Sequence, residues 1–171
     1  MSNWFSQIKN MYEIQPVGVT RTGLAADLAT VHLFNIFQIA GGDVLIKAII
    51  GKCRHAVEAV TTQTLEGGFT PTAGARAIFA AASANTVTLT EADMYLTWSG
   101  VIPAAILIDQ TGNIVGFGAV GSILAGTSGG INVFCPGIMD ITTAGDTDNS
   151  GLIDWTIIYR PLTTASRVIA L

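Results

Sequence analysis

Oxygen-bearing side chains crowd together once, in Asp146-Thr147-Asp148-Asn149-Ser150-Gly151. Oxygen donors at alternate positions ahead of a glycine match the first half of a calcium-binding loop, in which a hard cation collects carboxylate and hydroxyl oxygens. Asp146, Asp148 and Ser150 are the candidate ligands. The bidentate Glu expected at the twelfth place is absent, because Ile157 stands there, and Asp154 at the ninth falls where the sequence reads as strand. Asp, Asn, Ser and Gly are also the ordinary chemistry of a polar hairpin loop. That plainer reading is preferred, and no metal is expected.

Nucleophiles fare less well. Gly126-Thr127-Ser128-Gly129-Gly130 fits G-x-S-x-G by letter, but a nucleophile elbow needs a helix after the serine, and the strand-like Ile131 to Cys135 comes next instead. The bases on offer, His32 and His55, read as a packed or surface residue each. Cys53 beside Arg54 and His55 has the cationic neighbours that lower a thiol pKa, yet no second cysteine or oxyanion motif accompanies it, so it reads as a buried structural thiol. Cys53, Cys135, His32 and His55 lack zinc-ligand spacing. Gly116-Phe117-Gly118-Ala119-Val120-Gly121 spells the dinucleotide fingerprint, but its mechanism needs a helix opening at the third glycine. The glycine-rich stretch after it is too short for one. No catalytic residue and no cofactor are expected.

The elements that would position these residues are mostly strands. Trp4, Ile8, Met11 and Tyr12 recur at helical spacing, with Ser2 or Asn3 as a cap and Pro16 as a stop, which predicts a short amphipathic helix over 1–15. From there the period becomes that of strands. Strands are expected around Val17 to Arg21, Thr30 to Ile39, Val44 to Ile50 and Val57 to Leu65. Further ones are expected at Asn85 to Thr90, Ala104 to Ile108, Ile114 to Phe117, Ile131 to Cys135, Ile138 to Thr142 and Leu152 to Tyr159. Arg167 to Ala170 makes a last edge. Ala40-Gly41-Gly42-Asp43 and Gln110-Thr111-Gly112-Asn113 read as hairpin turns. Gly67 to Gly74 reads as a loop, and Ala75 to Ala84 is ambiguous between helix and strand. Many short strands with closely spaced turns predict an all-β sandwich or barrel. The expected organisation is a helical arm over 1–15 and one β-sandwich domain over 16–171.

Composition narrows the functional classes. Half of the 171 residues are hydrophobic and only 12% are charged, against about 25% in an average soluble domain. Such a chain buries enough apolar area to escape disorder. Eight Lys and Arg against twelve Asp and Glu give a net charge of −4, so binding nucleic acid through phosphate neutralisation is not expected. Mean hydropathy is positive, but the longest apolar stretch, Val101 to Gly126, is interrupted by Asp109, Gln110 and Asn113. No spanning helix is expected. No basic segment precedes an apolar one at the N-terminus, which argues against a secretory leader. Two cysteines without a pairing motif fit a reducing cytoplasm.

Three segments carry a resemblance to a group of small virion structural proteins of tailed bacteriophages. Leu33-Phe34-Asn35-Ile36-Phe37-Gln38-Ile39-Ala40-Gly41-Gly42-Asp43-Val44-Leu45-Ile46 looks like that group's strand–Gly-Gly–strand unit. Thr70-Pro71-Thr72-Ala73-Gly74 is similar to its "NPTAG" loop. Cys135-Pro136-Gly137-Ile138-Met139-Asp140-Ile141 and Leu152-Ile153-Asp154-Trp155-Thr156-Ile157-Ile158-Tyr159-Arg160-Pro161-Leu162 resemble its "VPAGTIDL … VKWTLTYVPL" ending. The match runs over 30–170. The longer Asp146–Gly151 loop and the N-terminal helix depart from the pattern.

The resemblance implies a capsid decoration or cement protein: a non-enzymatic, all-β, jelly-roll-like β-sandwich that binds the assembled shell and stabilises it. Its expected partners are the major capsid protein or another virion protein, and further copies of itself as a homo-oligomer. Neither nucleic acid nor membrane is an expected partner. The expected location is the capsid surface of the virion, after synthesis in the host cytoplasm. Trp4, Phe5, Ile8, Met11 and Tyr12 are the expected contact residues of the arm. The alternative is a tail-associated, receptor- or carbohydrate-binding module, for which Tyr95 and Trp98 would supply exposed aromatics while Trp155 reads as core.

Overall fold

The computed structural model describes residues 16–24, 27–28, 33–57, 64–83, 95–97, 107–109, 132–145 and 151–171. These residues form β1 (Val17–Arg21), β2 (Leu33–Ala40), β3 (Val44–His55), β4 (Thr64–Pro71), β5 (Ala77–Ala80) and β6 (Tyr95–Thr97). After them come β7 (Leu107–Asp109), β8 (Val133–Phe134), β9 (Gly137–Ala144), β10 (Leu152–Pro161) and β11 (Arg167–Ala170). One sheet runs β1-β10-β3-β6-β7, with β8 also paired to β3; the other runs β11-β2-β9-β4-β5. The protein is an all-β sandwich.

The pairing is nested. Along the chain β1 pairs with β10, β2 with β9, β3 with β6 and β4 with β5, all antiparallel. A long ribbon of that kind, rolled upon itself, brings β10 beside β3 and β9 beside β4. This is the jelly-roll winding. Hydrophobic alternation drives it. Ile153, Trp155, Ile157 and Tyr159 of β10 are buried, and the residues between them are half-buried on the other face. They meet Phe34, Ile36, Phe37 and Ile39 of β2 and Met139 and Ile141 of β9 in one core cluster. Contact between the sheets is direct. Phe134 meets Phe69 edge-on at 5.0 Å between ring centres and Phe79 at 5.9 Å, and the Val168 amide donates to the Tyr159 hydroxyl at 3.2 Å.

Several expectations are corrected here. Gly41-Gly42 is not a hairpin turn, because β2 and β3 belong to different sheets. Both glycines have positive φ, 76° and 147°, as a tight turn requires. The chain nonetheless turns a corner from sheet to sheet, since Phe37 and Ile39 on one side and Val44 and Ile46 on the other must all enter the core. A Cβ on Gly41 would lie 2.0 Å from the Ala165 carbonyl oxygen, so the corner is packed against the segment before β11.

The stretch Gly67 to Gly74 is not a loop over its first half. Gly67 to Pro71 lie within β4, paired along their length with β9. Glycine is needed there for close approach: a Cβ on Gly67 would meet the Phe79 ring at 2.6 Å, and one on Gly68 the Arg76 guanidinium at 2.2 Å. Within the ambiguous Ala75 to Ala84 stretch, Ala77 to Ala80 form the strand β5. Leu65, expected in a strand continuing from β3, belongs to β4 in the opposite sheet, and residues 58–63 lie outside the described residues. The expected arm over 1–15, the strands Asn85 to Thr90 and Ile114 to Phe117, and the Gln110–Asn113 turn lie outside the described residues.

Two of the four register shifts among the described strands re-aim side chains that matter below. At Asn35/Phe37 the register with β9 slips by one residue, so Ile36 and Phe37 both face the core. At Ile158/Tyr159 the register with β3 slips likewise, and Lys47 becomes the extra residue on β3. A bulge of this kind turns two successive side chains to one face.

Candidate interaction surface

Most residues singled out from the sequence as site candidates fall outside the described residues. These are Trp4, Phe5, Ile8, Met11 and Tyr12 of the arm, Asp146, Asp148 and Ser150 of the calcium-loop candidate, Ser128, His32, Trp98 and the fingerprint at 116–121. Cys53 is described. It is buried, with its thiol donating to the His55 carbonyl at 3.0 Å. Arg54 turns the other way, as successive strand residues do, to meet Asp154 at 3.2 Å. The cation that suggested an activated thiolate therefore sits across the strand from it. Trp155 is core, 3% exposed. Among the described residues no cluster of His, Cys, Asp or Glu could hold a metal ion, and no helix is long and apolar enough to cross a membrane.

The polar side chains that are described form three groups. The first closes the seam where β1 and β11, the edge strands of their sheets, come together. Buried Arg21 forks onto both carboxylate oxygens of Asp27, donates from Nε to the Leu171 carbonyl at 3.0 Å, and lies 5.4 Å over the Phe34 ring centre. A bidentate, desolvated pair of this kind holds position well and fails badly if one partner is removed.

The second group lies on the outer face of the β11-β2-β9-β4-β5 sheet. Cross-strand neighbours Asp140, Gly68, Thr142 and Glu66 make a shallow floor, over which Arg76 is laid. Its Nε donates to the two Asp140 oxygens at 3.0 and 3.2 Å and its Nη2 to Asp140 at 2.7 Å and to the Thr142 hydroxyl at 2.9 Å. Nη1 reaches Glu66 at 3.2 Å. Asp140 is only 2% exposed, so this guanidinium supplies what water would otherwise give. The hydrogen bonds Arg76 donates to Asp140, against the opposing effect of burial and with help from both carboxylate charges, hold the Arg76 pKa above its ordinary value. The turn carrying Arg76 is fastened at its start, where the Thr72 amide and hydroxyl both donate to the Pro136 carbonyl at 3.0 Å.

The third group spreads over the outer face of the other sheet, on β1, β10 and β3. Thr20 and Thr156 share a hydroxyl–hydroxyl bond at 2.9 Å, and Asp154 accepts from the Gly23 amide at 2.8 Å. Lys47, Lys52, Arg54 and His55 of β3 and Arg160 of β10 share this face with half-buried Leu45, Ala48, Ile50 and Ile158. The Nε of Arg160 is buried without a hydrogen-bond partner among the described residues.

Sequence reasoning missed both outer faces. Lys47 and Lys52 are an odd number of residues apart, so plain alternation puts them on opposite faces; the bulge at Lys47 puts them on one. The Arg76 cluster joins residues 64 positions apart in the chain, which no local spacing could reveal. Exposed apolar side chains complete the surface: Val17, Leu33, Ile169 and Leu171 around the seam, Ile78 on β5 and Val133 on β8. No known protein family, curated protein or solved structure matches this chain on comparison.

Proposed function

We propose that this protein is a non-enzymatic structural component of a tailed-phage virion that binds the assembled capsid and stabilises it, as decoration and cement proteins do. The observation that carries this reading is a jelly-roll sandwich whose outer faces and seam present apolar side chains, Val17, Leu33, Ile78, Val133, Ile169 and Leu171. Edge strands and apolar patches left bare promote association, and a repetitive shell offers one partner many times over. Binding only the assembled form stabilises it by mass action, and multivalency lets modest contacts suffice. The segment 1–15, with Trp4, Phe5, Ile8, Met11 and Tyr12, is the arm that reaches a neighbouring copy or the shell.

Imaging of the particle with this chain located in it tests the assignment. Density on the capsid surface, together with shells that lose their contents at lower temperature when the protein is missing, is the expected result. Location at the tail tip would transfer the protein to the receptor-binding alternative, and absence from particles would end the virion reading. Removal of residues 1–14 should abolish oligomerisation or shell binding while strand circular dichroism persists; unchanged binding would refute the arm.

A further inference from the structure

We infer that the apolar patch at the Arg21 end of the β1–β11 seam is the seat for residues 1–12 of a second copy of this chain. This rests on the arm reading above and adds the surface that receives the arm and the copy that supplies it. Among the described residues, the large apolar side chains left exposed are Val17, Leu24, Leu33, Ile78, Val133, Ile169 and Leu171, and all but Ile78 and Val133 border the seam. Three leucines gather round one buried ion pair, Arg21–Asp27. The Leu171 carbonyl accepts from Arg21 Nε at 3.0 Å, and the Leu24 amide donates to Asp27 at 2.9 Å. Leu33 precedes Phe34, whose ring lies under the Arg21 guanidinium. These leucines are 57% (Leu24), 46% (Leu33) and 47% (Leu171) exposed. Ile169, also exposed, stands two residues before Leu171 and so shares its face.

Size, chemistry and direction identify the occupant. Four side chains about half exposed make a patch of a few hundred Å², well under the roughly 800 Å² per partner of a standard interface. Patch against patch is too little to hold two copies, whereas a short amphipathic segment laid across it suits. Residues 1–12 offer one. Trp4, Phe5, Ile8, Met11 and Tyr12 are apolar or aromatic, and Lys9 is the one charged side chain among residues 1–12. The segment is rooted at the opposite end of β1 from the patch. Val17 pairs with Tyr159 and Arg21 with Trp155, so the patch begins about 13 Å along the strand from that root. To fold back over its own β1 the arm needs a tight reversal, for which Gly, Asn, Asp or Ser is the usual residue. Tyr12-Glu13-Ile14-Gln15 has none of them, and Pro16 disfavours a helical backbone at Gln15. Val17 and Gly18, which would complete a turn begun at Pro16, are already paired in β1 with Tyr159 and Ile158. The sequence therefore sends the arm outward, away from its own patch and toward a neighbour's. Reciprocal exchange between two copies closes under two-fold symmetry and covers both patches.

The test joins cysteines with a short bis-maleimide in a Cys135→Ser background, which removes the exposed native thiol. Full-length chains carrying Ile8→Cys are mixed with differently tagged chains carrying Leu33→Cys. The control partner carries Ile78→Cys, on the far edge strand β5 of the same sheet. Joining between chains at Leu33 and not at Ile78 is the expected result, together with a dimer mass by light scattering. Leu24→Ser/Leu33→Thr, with its melting temperature unchanged, should weaken dimerisation at least about tenfold; if that variant melts early, the cross-links alone decide. Joining that occurs only when Ile8→Cys and Leu33→Cys lie in one chain overturns the exchange. So do equal joining at Leu33 and Ile78, a dimer indifferent to the double variant, and a monomer that joins nowhere. Exchange between copies of a chain absent from virions would keep the seam and end the virion reading. A virion component whose copies do not exchange arms keeps that reading and loses this one.

Discussion

The two outer faces of the sandwich each carry an arginine, Arg76 on one and Arg160 on the other, and differ in how that guanidinium is met. On the β2-β9-β4 face, Arg76 is matched by two carboxylates and a hydroxyl, and the buried Asp140 is saturated by it. On the β1-β10-β3 face, Arg160 holds a buried Nε with no partner among the described residues, and Lys47 stands beside it on the neighbouring strand. Satisfied charge adds to the stability of the fold, and an unmet buried donor subtracts from it.

Substituting Arg76 should give the largest effect. Arg76→Ala leaves the Asp140 carboxylate buried and unmatched, and should lower unfolding free energy by about 3 kcal/mol, read from urea denaturation. Gly68→Ala attacks the same cluster from below. Its methyl would occupy the place of the guanidinium, so Arg76 must leave Asp140, at about 2 kcal/mol by the same measurement. Arg160→Leu should act with the opposite sign. Removing an unsatisfied buried donor should leave stability unchanged or raise it by about 0.5–1 kcal/mol. A loss of stability comparable to that of Arg76→Ala would erase the contrast between the faces.

The smallest expected effect is with pH. A raised Arg76 pKa means that the folded state favours the charged guanidinium. That contribution is complete below the unfolded arginine value and lost only as pH rises through the folded one, beyond about pH 12. The stability difference between wild type and Arg76→Gln should therefore stay flat from about pH 6 to about pH 10, and a slope in that window would place another titrating group in the cluster.

How much of this was legible varies by region. The strands Val17 to Arg21, Leu152 to Tyr159 and Arg167 to Ala170 were readable from alternation and composition, and the sandwich class followed from their number and spacing. The Gly67-Gly68 pair misled because glycine at a close approach and glycine in a loop look alike until Phe79 and Arg76 are seen lying over them. The candidate surface was the least legible part. Neither the Arg76 cluster nor the common face of Lys47 and Lys52 leaves a local pattern.

The amino-acid sequence by itself determined that this chain makes strands, that Trp155, Ile157 and Tyr159 go inward, and that the backbone bends sharply at Gly41-Gly42, since those depend on side-chain alternation and on allowed φ. Only the tertiary structure decided that this bend joins two sheets instead of two neighbours, and that β1 closes against β10 from the far end of the chain. Pairing partners are chosen by which nesting buries all the apolar faces together. A bulge of one residue, invisible in composition, then sets which charges face the outside.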